Sequence, residues 1–521
     1  MKTWDTVEFI PGVTCSDGTK TVEVERIDGA AGTQFLVHAS GSGAIRDVVL
    51  TSRGNPGFSD IFVAGPNIGG VEYAHPLQTV YLGLGGEHRD TLFGRQWMYT
   101  PPPLVFPFRS ADKWFGVALS APRGKNLFSG WTYRPSATDR TDLLYGSGAT
   151  AVPSAFELEV HFDGYCRDEG HIASVHVLTE GKDSPLEVVQ WYSQTIRDLG
   201  YAPSPTRNSP AWWKEPMLCA WGEQCNQAHA KNPLKWMGDS VTMYDTQSNQ
   251  TRWVETLERH GIPVGVVSTS DKWQLHRERL TPDRMKYPDL RGFVDEQHEK
   301  GRKVIAWFGL WRIDDPPPSW CIRAENGEKL TADPESPGYS TQLSEGVREL
   351  ISPSGYDIDG FFIDFTSDLP VRENLVRSGT LWGVELLHHY VKLIHDAAKA
   401  AKPDAMLMTH CCNPYFADVT DVLRLNDWAF KRPDLVEQAR YRHGIAASVS
   451  DWLINTDNWF MYDIDEWRRY IHVQPELGIP ASWFVDGIWG DGSQSYEAFT
   501  PEDYKTWAAV WNTYRQDQGL V

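Results

Sequence analysis

Two patterns of apolar and polar positions divide the chain. Up to about Tyr201, apolar residues come in short runs broken by Gly, Pro and Asp, as in Phe35-Leu36-Val37-His38, Val48-Val49-Leu50 and Trp114-Phe115-Gly116-Val117-Ala118-Leu119. Phe156-Glu157-Leu158-Glu159-Val160-His161-Phe162 alternates, one side chain inward and the next outward, and residues 172–178 continue in that style. Helical periodicity is scarce here, which predicts a β-sandwich. A helix with apolar spacing of three and four begins at Pro185-Leu186-Glu187-Val188. The Pro-rich polar stretch 202–210 then marks a boundary, with a β-sandwich over residues 1–205 and a second domain over 206–521.

After that boundary, strand-like apolar runs alternate with amphipathic helices. Strands are expected at 217–221, 264–269, 303–311, 360–365, 405–410 and 422–425, with weaker signals at 446–449 and 481–485. Helices such as 290–300 and 381–399 separate many of them. Eight strands in a segment of this size fit a (β/α)8 barrel with loop insertions. A doubly wound open sheet is the rival, but no Gly-rich phosphate fingerprint follows any strand.

The run Ile358-Asp359-Gly360-Phe361-Phe362-Ile363-Asp364-Phe365 is β-branched and aromatic, and closes on a carboxylate among apolar neighbours. Burying a lone carboxylate costs several kcal/mol unless it is paired or opens on a cleft. In a barrel the carboxyl ends of the strands form the active site, so Asp364 is the first catalytic candidate. Other polar or aromatic residues fall at strand ends too: Trp221, then Asp271 with Trp273, Trp311 with Asp314, His410 with Cys411 and Cys412, and Arg424 with Asp427.

Composition narrows the chemistry. A net charge of -20 without any Lys/Arg-rich run argues against nucleic acid or an anionic membrane as partner. The 23 Trp suit the apolar faces of sugars as well as ordinary cores. No basic stretch with an apolar core follows Met1, and the 7 Cys are thinly spread, so the expectation is a cytoplasmic protein with reduced thiols. A homo-oligomer is left open. Adjacent Cys411 and Cys412 would point to opposite strand faces and cannot easily both ligate one ion, so no metal is expected; no cofactor is expected either.

Two carboxylates on nearby strands, facing one cleft ringed by Trp, are the equipment of a glycosidase. Several stretches are similar to clan D of the glycoside hydrolases, the α-galactosidases and α-glucosidases of families 27, 31 and 36. They are Asp289-Leu290-Arg291, Gly301-Arg302-Lys303, Phe308-Gly309-Leu310-Trp311, Asp359-Gly360-Phe361-Phe362-Ile363-Asp364-Phe365 and Arg424-Leu425-Asn426-Asp427. The resemblance covers most of the second half and accounts for a preceding β-sandwich. It implies Asp364 as nucleophile and Asp427 as general acid/base. It further implies sugar contacts from Asp271, Trp273, Trp311 and Arg424, and Trp221 and His410 join them as substrate-binding candidates from their strand-end positions, with a packed ring the alternative for His410. Ser270 stands where α-galactosidases carry the first Asp of an Asp-Asp-Gly-Trp motif, and Phe362-Ile363-Asp364 lacks the Lys that usually precedes the nucleophile.

The expectation is a retaining, exo-acting α-glycosidase on small oligosaccharides, with α-galactosides first and α-glucosides second. Two alternatives remain open at this point: a non-catalytic sugar-binding protein on a degenerate barrel, and a metal-dependent hydrolase or isomerase. Helix capping could also account for Asp271 and Asp427.

Overall fold

A computed structural model describes residues 4–29, 32–66, 71–85, 98–136, 155–204, 209–232, 238–425, 427, 434–459, 461, 463–489 and 496–521. The predicted boundary at 205/206 and Asn426 of the last resembling stretch lie outside them.

The first part is an antiparallel sheet of 10 strands. Its spine is a long hairpin, Phe9–Gly29 against Gly32–Ser52, in register from Phe9 opposite Ser52 to Gly29 opposite Gly32. Strands Val105–Ser110 and Gly130–Pro135 are far apart along the sheet order, yet their inner rings meet. Phe106 lies 4.6 Å from Trp131 and Phe108 5.7 Å from Tyr133, centroid to centroid. The sheet therefore folds over itself as a sandwich around an aromatic core.

Helix Pro185–Asp198 follows, started by Ser184, whose hydroxyl accepts from the Leu186 amide. Pro185 at its first turn has a fixed φ suited to that position. The helix buries Val188, Val189, Tyr192 and Ile196, and Arg197 donates to the carbonyl of Val449 at 2.6 Å. It thus ties the sandwich to the second domain.

That second domain is a closed barrel of parallel strands. We label them β1 Met217–Cys219, β2 Val266–Ser268, β3 Lys303–Gly309, β4 Gly360–Asp364, β5 Met406–Thr409, β6 Val422–Arg424, β7 Leu453–Thr456 and β8 Ile479–Ser482. They are buried on both faces, which explains their near-continuous apolar sequence. Gly360 opens β4 because β5 runs so close that a Cβ there would stand 2.2 Å from the Met406 carbonyl oxygen.

One strand differs from expectation. Residues 446–449 form the last turn of helix Leu435–Val449, and β7 follows at Leu453–Thr456. A four-residue apolar run has no period of its own. Here Ile445, Ala446 and Val449 complete a helical face begun by Leu435, Gln438, Ala439 and Arg442.

The sandwich covers part of the barrel mouth. The amide of Thr100 donates to the His410 carbonyl at 3.2 Å, and its carbonyl accepts from the Thr366 hydroxyl at 2.9 Å. Further out, the Trp382 indole donates to Asp163 at 2.9 Å. No helix among the described residues is long and apolar enough to cross a membrane.

Candidate active site

A cavity of about 410 Å³ opens at the carboxyl ends of the barrel strands. Trp221, Trp307, Phe362, Phe365, Trp459 and Trp483 supply its apolar walls, and Asp271, Asp364, Arg424 and Asp427 its principal polar groups. Arg277, Arg312 and Asp239 line it as well.

β3 and β4 build one side. Trp307 pairs with Phe362 and Gly309 with Asp364 across the two strands. Trp307 shares a face with Gly309, where a Cβ would stand 2.7 Å from the indole. The missing side chain gives the Trp307 ring its room. Its Nε1 then donates to Oδ2 of Asp364 at 3.2 Å.

Three bulky residues just beyond strand ends take left-handed backbone angles: Lys272 (φ 65°), Trp311 (φ 67°) and Phe365 (φ 54°). Such angles are costly for side chains of this size and concentrate at functional sites. At Phe365 the turn places the ring beside Trp307, and the Arg312 guanidinium lies 3.9 Å over it. The same turn brings the Phe365 amide to Oδ1 of Asp364 at 2.9 Å.

Arg424, ending β6, is 2% exposed and stands at the centre of three carboxylates. Its Nη1 lies 3.7 Å from Asp364, its Nη2 2.5 Å from Asp427, and its Nε donates to Asp457. His410 Nδ1 lies 3.7 Å from Asp364 on the other side, while its Nε2 accepts from the Thr366 amide at 3.4 Å.

These surroundings separate the two candidate acids. Burial would push Asp364 up, but Arg424, His410, the Phe365 amide and the Trp307 indole together hold its carboxyl below the usual range. Asp427 is also desolvated, and the nearby Asp457 and Asp364 charges add to that against the pull of Arg424, so it is pushed up to about 7. The Asp364 carboxyl is thus biased towards its ionised form and that of Asp427 towards keeping a proton.

Of the residues singled out in the sequence, Trp221, Asp271, Asp364, Arg424 and Asp427 line the cavity together. Asp271 is gripped by Arg277, whose Nε and Nη2 lie 3.2 and 3.3 Å from its two oxygens. Arg277 also reaches Asp314, which Lys272 meets at 2.5 Å. Trp273 and Trp311, expected against the sugar, stand behind the wall. The Trp273 indole donates to the Trp307 carbonyl, and that of Trp311 to the Thr366 carbonyl with its ring against Tyr390. Trp311 falls beyond the end of β3, where the left-handed turn redirects it, and Trp307 takes the inward place. His410 is buried beneath the site rather than lining it.

Sequence reading missed Asp457, Trp459 and Trp483. Asp457 follows β7 directly, the same strand-end position that marked Asp364, but the misplaced seventh strand concealed it. Cys411 and Cys412 are fully buried, and burial pushes the Cys411 thiol up to about 12 and that of Cys412 well above its ordinary value, which disfavours the thiolates a metal would need. Asp47, Glu159 and His161 in the sandwich could together hold an ion. They already pair internally and with arginine: His161 with Asp47 at 2.8 Å, Arg46 with Asp47 at 3.0 Å, and Arg134 with Glu159 at 2.7 Å.

No family model and no curated protein matches the chain. Solved structures do match across nearly all of it. The cycloalternan-degrading enzyme from Trueperella pyogenes superposes with a TM-score of 0.58 at 14% identity, over 96% of this chain and 72% of its own. An α-galactosidase from Thermus thermophilus, in complex with p-nitrophenyl α-D-galactopyranoside, gives 0.57 at 14% over 94% of both chains. A GH31 family sulfoquinovosidase from E. rectale gives 0.59 at 10%, over 97% of this chain and 78% of its own. At these identities the likeness is one of fold. The protein has the sandwich-and-barrel fold of clan D-like glycoside hydrolases.

Proposed function

We propose that the protein is a retaining, exo-acting α-glycosidase on small oligosaccharides or glycosides, with α-galactosides the first candidates and α-glucosides the second. The observation that carries this reading is one arginine, Arg424, touching two cavity-lining carboxylates of opposed acidity. A cavity of about 410 Å³ lies within the usual range of about 300–1,000 Å³ for small-ligand sites. The α-linked substrate analogue in the T. thermophilus enzyme supports the anomeric preference by analogy of fold.

In this mechanism an oxygen of ionised Asp364 bonds to the anomeric carbon while the bond to the leaving oxygen breaks. The Asp427 proton passes to that oxygen. In the second half, Asp427 takes a proton from water, the water oxygen bonds to the same carbon, and Asp364 leaves as carboxylate. The residues alone account for both steps. The two displacements retain the anomeric configuration, which NMR of the first-formed product reads directly.

Nitrophenyl α- and β-glycosides screened with the wild type and Asp364→Ala test the reading. Hydrolysis of an α-glycoside by the wild type, lost in Asp364→Ala, is expected. A wild type inert towards α-galactoside and α-glucoside overturns the substrate assignment, and an Asp364→Ala variant as fast as wild type overturns the nucleophile.

A further inference from the structure

We propose that Asp457 is a positioning residue: it fixes the Arg424 guanidinium so that one cation serves both reacting carboxylates, an inference that rests on the roles given above to Asp364 and Asp427. Asp457 follows β7 and is fully buried. Its Oδ1 accepts from the Trp459 amide at 2.6 Å, and its Oδ2 accepts from Nε of Arg424. Both oxygens are therefore committed to N–H donors. Occupation of Nε points the other edge of the planar fork at Asp427 and Asp364. Phe362 at 4.8 Å and Trp483 at 5.2 Å flank the guanidinium and hold its plane. Without Asp457, nothing else on the Nε side sets the rotation of that fork among the contacts described.

The same residue governs where the proton resides. Asp427 is faced by Arg424 on its own segment, Asp364 from β4, Asp457 after β7, and Arg442 from helix Leu435–Val449. Cys219 of β1 faces Arg424, His410 faces Asp364, and Tyr470 faces Asp457. Three carboxyls thus crowd one tightly held guanidinium, while Arg442 donates to the main-chain carbonyl of Asp427. A proton on Asp457 would displace one of its two N–H donors, so the shared proton goes to Asp427, which opens on the cavity.

The test is the pH dependence of kcat/KM for wild type, Asp457→Asn and Asp457→Glu on the best nitrophenyl glycoside, with thermal melts to establish folding. Asp457→Asn keeps the shape and removes the charge. Its basic limb should move down by about one pH unit and kcat/KM fall on the order of tenfold. Asp457→Glu keeps the charge but displaces the fork, so kcat should fall with the basic limb near its wild-type place. A profile of Asp457→Asn that superposes on wild type overturns the inference, as does a lowered melting temperature with unmoved limbs. Failure of both variants to fold overturns it too, since Asp457 would then be a structural residue. A wild type without glycosidase activity, or one unaffected by Asp364→Ala, instead removes the underlying reading and is seen without any Asp457 variant.

Discussion

The indole Nε1 of Trp307 meets Oδ2 of Asp364 at 3.2 Å, across the neighbouring strands β3 and β4. The contact stabilises the ionised carboxylate and fades when the oxygen is protonated. Trp307→Phe keeps an aromatic wall and deletes the donor. The Asp364 carboxyl then rises, so activity on acidification should be lost at a higher pH than in wild type. We expect the acidic limb of kcat/KM to move up, with a fall of about tenfold at most at neutral pH. An unmoved acidic limb would refute the role given to this contact.

Asp427, pushed up to about 7 by burial and the neighbouring Asp457 and Asp364 charges, acts as an acid only while it holds its proton. Glycoside cleavage should therefore decline as pH rises through about 7. Asp427→Ala should lose about 10²–10⁴-fold on substrates with poor leaving groups. On dinitrophenyl glycosides, whose leaving oxygen needs no proton, the first step should be nearly unaffected and burst kinetics should show it. Equal losses on both substrate types would remove Asp427 from the acid role.

Sandwich and barrel share buried polar contacts, so they should unfold together. Trp382 donates to Asp163 and Thr366 to the Thr100 carbonyl, while Tyr415 bonds to Glu385, which also accepts from the Asn126 amide at 3.2 Å. A chain of residues 206–521 alone would leave Trp382, Thr366 and Glu385 without their sandwich partners and expose the apolar surface beneath them. Calorimetry of the full chain should give one cooperative transition, and the isolated barrel should aggregate. Two separated transitions, with a folded barrel fragment, would show the contrary.

Much of this architecture was legible because barrel strands are apolar on both faces and end in chemistry. β4 announced Asp364, and β6 announced Arg424 and Asp427, through polar residues closing apolar runs. The limits were equally physical. The run 446–449 carries no periodicity that separates strand from helix, and misplacing it hid Asp457. Trp311 looked like the inward residue because a strand was taken to continue past Gly309. Only the left-handed turn at Trp311 reveals that Trp307 holds the inward place. Trp459 and Trp483 had no such marker, since Trp is as common in cores as in sugar sites.

The opposite end of β4 offers a stability test that leaves the site untouched. Asp359 is fully buried, one residue before the strand that ends in Asp364. Lys303 at 2.9 Å and Lys402 at 3.1 Å meet one of its oxygens, and His298 at 2.7 Å and the Val304 amide at 3.0 Å the other. Burial opposes ionisation, yet the His298 bond and the two lysine charges win and hold the carboxyl at about 2. Because the folded value lies below the unfolded one of about 3.9, the contribution is fully present above that value and fades as pH falls towards about 2. The gap of about two units corresponds to about 2–3 kcal/mol. Asp359→Ala removes the carboxylate that Lys303, Lys402 and His298 share, although Lys402 and His298 keep Asp357 at 2.8 and 3.5 Å, and should cost about 3 kcal/mol at neutral pH. The deficit against wild type should shrink in urea titrations carried from neutral pH to pH 3, because the wild type itself has lost about half of the contribution there. A deficit constant across that range would mean that the cost comes from packing rather than from the ionised carboxylate.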